Sequence, residues 1–248
     1  MQIQCSLARA AVALWPRRLS CAVASGGSFE VFFDGGSRGN PGISGAGALI
    51  DHVGGDGQRT RRYETFHYLD CQSTNNVAEY VGLLLGLRAA VDEIPQLASA
   101  AALQPDLAVR GDSMLAVRQI NGSWAVQAAH LRGLRDESRR LLRAWRVHEL
   151  TGKRCTLSHV RREANAAADA LANAAMDARA SGERYYDEDG TLLREVATAS
   201  GGADAVLLRC AAVAAFAADA AAGARSGGAA RADALAAGVL LEDEVVMY

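Results

Sequence analysis

Ser28-Phe29-Glu30-Val31-Phe32-Phe33 leads straight into Asp34-Gly35-Gly36-Ser37-Arg38-Gly39-Asn40-Pro41-Gly42. A β-branched and aromatic run halted by Asp-Gly-Gly reads as a strand entering a turn, with Asp34 at the strand's end. Two further strand-like stretches, Ala46–Val53 and Arg59–Tyr68, flank Gly54-Gly55-Asp56-Gly57, so the three predict an antiparallel meander. A helix is expected from about Asn76 to Glu93, stopping at Pro95. Leu107–Arg110 (LAVR) predicts a short strand and Ser113–Ile120 a short helix. His130 to Leu150 predicts a long amphipathic helix with Leu131, Leu134, Leu141, Leu142 and Trp145 on one side. Cys155–Val160 reads as a fifth strand and Glu163 to about Ala180 as a last helix. The order β-β-β-α-β-α-α-β-α predicts an α/β fold, a five-stranded mixed sheet flanked by helices.

The chain has 248 residues, 50% of them hydrophobic and 22% charged, enough for one ordinary core with chain to spare. No run of about 18 uninterrupted apolar residues occurs, so no transmembrane helix is expected. Asp204, Arg209, Asp219 and Arg225 interrupt even the Ala-rich end. Five scattered cysteines form no C-x-x-C pair, which argues against a disulfide scaffold or zinc module and for a reducing, intracellular compartment. No P-loop, G-x-G-x-x-G or H-E-x-x-H pattern occurs.

Composition divides the chain in three. Residues 1–28 are basic and free of acids, like an organellar transit segment. Mitochondrial or plastid targeting therefore stands beside a cytoplasmic or nuclear location, and a disordered Ala-rich extension is the plainer alternative. Residues 29–180 hold every element named above. Residues 181–248 are acidic to about Ser200 and then rich in Ala and Gly. They read as a low-complexity extension, in which Ala203–Ala222 could be helical.

Charge is uneven along the chain. Residues 30–117 carry 6 basic and 11 acidic side chains, whereas residues 118–162 carry 11 basic and 3 acidic. Such polarity suits a polyanion on one face with carboxylates nearby. A long solvated helix with outward arginines would give the same count.

Four carboxylates stand where four elements begin or end: Asp34, Glu79 in Thr74-Asn75-Asn76-Val77-Ala78-Glu79, Asp112 in Gly111-Asp112-Ser113, and Asp169 in Asn165-Ala166-Ala167-Ala168-Asp169. Each has a structural alternative. Asp34 could start a Gly-rich turn, and Asn76 and Glu79 have the spacing of a capping box. Asp112 could cap the next helix, and Asp169 could be an ordinary surface acid.

Taken together, these windows resemble the type 1 ribonuclease H family, in particular a shorter variant similar to the ribonuclease H domains of reverse transcriptases. The resemblance runs from Phe29 to about Ala180, through DGGSRGNPG, STNNVAEY, RGDS and SHVRREANAAADALAN in the family's order. It implies a ribonuclease H-like fold and hydrolysis of the RNA strand of an RNA/DNA hybrid. It also implies that Asp34, Glu79, Asp112 and Asp169 are catalytic and hold two Mg²⁺ ions, with Mn²⁺ as a substitute. Phosphodiester hydrolysis needs an activated water and a stabilised leaving oxygen, which a pair of hard cations on carboxylates can supply. Gly82 and Gly86 lie three and seven residues beyond Glu79 on its own helix face, where small residues would let that helix approach the sheet.

By the same resemblance Arg38, Gly39, Asn40, Thr74, Asn75 and Asn76 line the groove over the hybrid, where amides can sense ribose 2′-hydroxyls. Thr74 looks like the family's phosphate-contacting threonine. Met114 stands where many relatives carry Gln. His159, ten residues before Asp169, matches a family histidine implicated in proton transfer or product release, and a strand-end structural histidine is the alternative. Arg135 and Arg139, with Arg132, Arg143 and Arg146, could track phosphates. Trp124 is expected to pack rather than stack. The expected partner is the hybrid duplex, with no membrane, and the chain is expected to be a monomer. Two other readings stay open: a catalytically weak module that binds hybrids or double-stranded RNA, and a resolvase- or integrase-like nuclease of the same superfold.

Overall fold

The computed structural model describes residues 27–97, 105–146 and 155–198. In chain order they form β1 (Ser28–Gly39), β2 (Gly42–Val53), β3 (Arg59–Ser73), α1 (Asn75–Leu97), β4 (Leu107–Gly111), α2 (Met114–Asn121) and α3 (His130–Arg146). Then follow β5 (Cys155–His159), a 3-10 turn at Arg162–Ala164, α4 (Ala166–Ala178), β6 (Ser181–Tyr186) and β7 (Leu192–Thr198). The strands make one mixed sheet in the order β5-β4-β1-β2-β3-β6-β7. β1 is antiparallel to β2 and parallel to β4, and β4 is parallel to β5. This is the ribonuclease H-like α/β arrangement.

Alternation along β1 explains the two layers. Phe29, Val31 and Phe33 point into the larger core with Leu83, Leu84 and Leu87 of α1 and Leu134 and Trp145 of α3. Phe32 points the other way, to Leu49, Phe66 and Ala168 and Leu171 of α4. Both helices come close to the sheet at glycines. A Cβ on Gly82 would sit 2.1 Å from the Asp34 carbonyl oxygen, and one on Gly47 would sit 2.5 Å from Leu171 Cβ. The small-residue stripe beyond Glu79 thus lies against the strand that carries Asp34.

Several boundaries differ from expectation. The sheet has seven strands rather than five, because residues 181–198 add the antiparallel pair β6–β7 to the edge of β3. The sheet therefore runs past residue 180, the end expected for the middle segment. β1 does not stop at Asp34-Gly35-Gly36 but pairs with β2 as far as Gly39↔Gly42, so the reversal falls at Asn40-Pro41. α1 continues through Pro95, since a proline disturbs the turn that precedes it and Pro95 sits within three residues of the helix's end. β5 ends at His159, and a 3-10 turn separates it from α4. The helix expected to Leu150, the transit-like residues 1–26 and the Ala-rich stretch from 199 onward lie wholly or partly outside the described residues. Among the described residues no helix is long and apolar enough to cross a membrane.

Candidate active site

Strand register sets the first pair of carboxylates. β1 and β4 run parallel with Phe33 opposite Gly111, so the residues that follow this pair, Asp34 within β1 and Asp112 just past the end of β4, emerge at the same end of the sheet. α1 then brings Glu79 in from one layer. Its closeness follows from glycine on both sides, since a Cβ on Gly35 would sit 2.0 Å from the Ala78 carbonyl oxygen. α4 brings Asp169 from the other layer, in its first turn. All four acids line one open cavity of about 270 Å³, together with Ser37, Arg38, Asn75, Arg162, Asn173 and Met176.

Each carboxylate is oriented by a neighbour. Asp34 Oδ1 accepts from the Gly35 amide at 2.8 Å, and Glu79 Oε1 accepts from Asn75 Nδ2 at 2.9 Å. Asp112 Oδ1 accepts from Asn165 Nδ2 at 2.8 Å, and the same amide also donates to the Phe33 carbonyl at 2.9 Å. Asp169 Oδ1 faces Arg162 at 3.1 Å and its Oδ2 faces Asn173 Nδ2 at 3.1 Å. Burial and the repulsion of neighbouring carboxylates make Asp34 and Glu79 reluctant to ionise. Burial, then Asp112, pushes Asp34 up to about 7, while the Gly35 amide works against it. Burial, then Asp34, pushes Glu79 up to about 8, and the Asn75 bond opposes this.

The structural alternatives for Asp34, Glu79 and Asp112 are not what these side chains do. Ser113, not Asp112, caps α2, its hydroxyl accepting from the Ala116 amide. Thr74 caps α1, accepting from Val77 N, so the capping-box role of Asn76 and Glu79 is absent. Asp34 lies inside a strand rather than in a turn.

Among the residues expected on the substrate, Arg38 and Asn75 line the cavity. Asn40 Oδ1 accepts from the Asn75 amide at 3.2 Å, tying the β1–β2 turn to the start of α1. Gly39 holds a φ of +108° in that turn, which favours glycine. His159 Nε2 lies 3.1 Å from the Asp112 carbonyl oxygen. Arg135 and Arg139 are not brought to the cavity. Arg139 donates to the Gln119 and Ile120 carbonyls, each at 3.0 Å, and so satisfies the end of α2. Arg135 pairs with its neighbour Asp136 at 2.7 Å. Trp124 is exposed, 45%, with the Arg118 guanidinium 5.3 Å from its ring centre, so it does not pack inside. Sequence reading missed Arg162, Asn165 and Asn173. Their spacing from Asp169, at −7, −4 and +4, was the available signal, since positions four apart on a helix are neighbours.

Residues 32–175 match the family model described as "Reverse transcriptase-like". The chain is 37% identical over 153 residues to the ribonuclease HI of Halobacterium salinarum, covering 61% of this chain and 66% of that protein. It is 39% identical over 150 residues to the bifunctional protein Rv2228c of Mycobacterium tuberculosis, covering 59% of this chain and 35% of that one. The chain thus spans less than two thirds of these curated relatives. The crystal structure of RNase H1 from Halobacterium salinarum is 36% identical, with a TM-score of 0.46, and the match covers 61% of this chain and 98% of that one.

Proposed function

This chain belongs to the reverse transcriptase-like family, and from that premise we propose that it is a divalent-metal-dependent endonuclease hydrolysing the RNA strand of RNA/DNA hybrids. One observation carries the reading: four carboxylates, from β1, from α1, from the residue that follows β4 and from α4, converge on one open cavity. The raised proton affinities of Asp34 and Glu79 mark a site short of positive charge. The ribonuclease HI name of the haloarchaeal relative, 37% identical across these elements, supports the substrate class.

The residues fit hard cations. Their donors toward the cavity are carboxylate oxygens, and Glu79 Oε2 is buried without a partner. Among the described residues no three acid, His or Cys side chains close into a ready-made cage. An open carboxylate rim suits Mg²⁺, which is held by a few carboxylates, retains water and leaves room for phosphate oxygens. Asp34, Glu79, Asp112 and Asp169 would hold two Mg²⁺ ions, or Mn²⁺ in their place. When bound, the metal acidifies a water and neutralises charge on the scissile phosphate.

The protein's own groups do the rest. Asn75 and Asn165 hold Glu79 and Asp112 in orientation, so a metal-binding geometry need not be assembled at the moment of reaction. Arg38, on the cavity rim, supplies a cation for a phosphate. The Asn40–Asn75 contact fixes a polar edge beside the carboxylates where a ribose 2′-hydroxyl can be sensed, which is how RNA is told from DNA. His159 does not line the cavity, but its contact with the Asp112 carbonyl keeps it beside the site, and in this reading it would pass a proton to the leaving strand. No membrane is involved, and a single chain contains the whole site. Labelled RNA/DNA, RNA/RNA and DNA/DNA duplexes incubated with and without Mg²⁺ test this. Cleavage of the RNA strand of the hybrid alone, and only with Mg²⁺, is expected. Binding without cleavage would favour a weak module, and cleavage of DNA/DNA would favour a resolvase-like enzyme.

A further inference from the structure

The four carboxylates are not equally open. Among the described residues, Asp34, Glu79 and Asp112 each have one oxygen held by a hydrogen-bond donor and one without. Asp169 has both oxygens engaged, Oδ1 by the Arg162 guanidinium and Oδ2 by Asn173 Nδ2. Two guanidinium groups line the cavity. Arg38 pairs with Asp177 at 2.7 Å, whereas Arg162 pairs with Asp169 at 3.1 Å and also lies in the field of Asp112 and Asp34. Arg162 sits in the turn between β5 and α4, is 77% exposed and is anchored to nothing else that is described. A guanidinium there stands where a cation is wanted, and it is free to swing away.

We infer that Arg162 is a positioning residue that acts as an internal competitor for the metal at Asp169, so that divalent ions load first on the Asp34–Glu79–Asp112 side and reach Asp169 only by displacing Arg162. This rests on the proposed metal-binding role of the four acids. Loading at the two sides is then unequal by construction. Asp169 stays neutralised in the absence of metal, and the displaced guanidinium becomes available at the rim once the ion is in place. Asn173, bonded to Asp169 through both Oδ2 and the backbone carbonyl, keeps the carboxylate pointed into the cavity whichever cation it holds.

Two side-chain amides report the two sides separately: Asn75 senses Glu79 and Asn173 senses Asp169. Mg²⁺ titrated into the ¹⁵N-labelled full chain, without nucleic acid, should shift the Asn75 NH₂ signals at lower concentration than those of Asn173. In Arg162→Gln the Asn173 midpoint should fall by about two- to five-fold, the range expected for release of an exposed ion pair, while the Asn75 midpoint changes less. Arg162→Lys should lie between wild type and Arg162→Gln. Arg161→Gln, which removes the same charge one residue away, should leave both midpoints in place. An Asn173 midpoint unchanged or raised in Arg162→Gln, or equal falls in both variants, would overturn the competition. Absence of any Mg²⁺-dependent shift at either amide would instead overturn the metal reading on which it depends.

Discussion

Asp34 shows how a single residue couples stability to chemistry. Its carboxyl, held up near 7 by burial and by Asp112, binds a proton more tightly in the folded chain than in the unfolded one, where an aspartate titrates near 3.9. The sign follows from linkage. Stabilisation from such a raised acid is fully present below the unfolded value and is lost as pH rises through about 7. Glu79, raised to about 8, acts in the same direction over a slightly higher window. In EDTA, Asp34→Asn should therefore melt above wild type at pH 8, by a few degrees, and the difference should shrink toward pH 5. Mg²⁺ should narrow the gap at pH 8, because wild type gains more from the ion than a variant lacking one ligand. Apparent Mg²⁺ affinity should also rise between pH 6 and 8.5, since the ligands must lose protons to bind. A wild-type melting temperature in EDTA that does not fall between pH 5 and 8 relative to Asp34→Asn would contradict this account of the cluster.

At the scale of elements, what was legible in the sequence depended on which force shaped each segment. β1, α1 and α4 were legible because alternation and helical spacing reflect burial directly, and the glycines after Glu79 announced a close approach that the Asp34–Gly82 contact explains. The end of β1 was misplaced because Asp-Gly-Gly is a turn signal in isolation. Here pairing with β2 and the packing of α1 on Gly35 hold it extended. α3 misled in another way, because a count of arginines says nothing about their partners. Arg139 closes the end of α2, so Arg139→Gln should cost about 1–2 kcal/mol in urea unfolding, the usual worth of hydrogen bonds from a charged donor in a partly exposed setting. Arg135→Gln should change stability little, since its partner is an exposed neighbour. Neither should reduce the slope of log K against log salt for hybrid binding. A slope smaller by about 0.7–0.9 for either one would instead place that arginine on a phosphate.

Over the whole molecule, the largest departure from the sequence reading is β6 and β7. Composition marked residues 181–198 as polar, yet two β-prone runs flank Asp189-Gly190, a hairpin signal, and Gly190 takes the expected positive φ of +82°. Charge misled because it is paired within the sheet. Glu64 of β3 pairs with Arg61 and Arg184 and accepts from the Tyr186 hydroxyl at 2.7 Å. Tyr185 stacks edge-on against Tyr63 at 5.1 Å. A fragment of residues 27–182 would cut β6 after its second residue and strip Glu64 of two partners. It should melt at least about 5 °C below a fragment of residues 27–198, given that 1 kcal/mol moves the midpoint by roughly 2–4 °C at this size. Both should keep the cavity, because every carboxylate lies before residue 170. Equal melting of the two fragments would show that the hairpin is an appendage after all.

The central claim is that carboxylates from four elements hold metal ions that activate water against the RNA strand of a hybrid. The most direct test is to identify the ends of the RNA products made by wild type, Asp34→Asn and Asp112→Asn in Mg²⁺, with hybrid binding measured alongside. Attack by water with departure of the 3′ oxygen leaves 5′-phosphate and 3′-hydroxyl ends, whereas attack by the ribose 2′-hydroxyl would leave a 2′,3′-cyclic phosphate. Wild type should give only 5′-phosphate and 3′-hydroxyl ends, and both variants should bind the hybrid but cut it at least about 10³-fold more slowly, an effect of about 4 kcal/mol on the barrier. Cyclic phosphate ends, or wild-type turnover in either variant, would contradict the account.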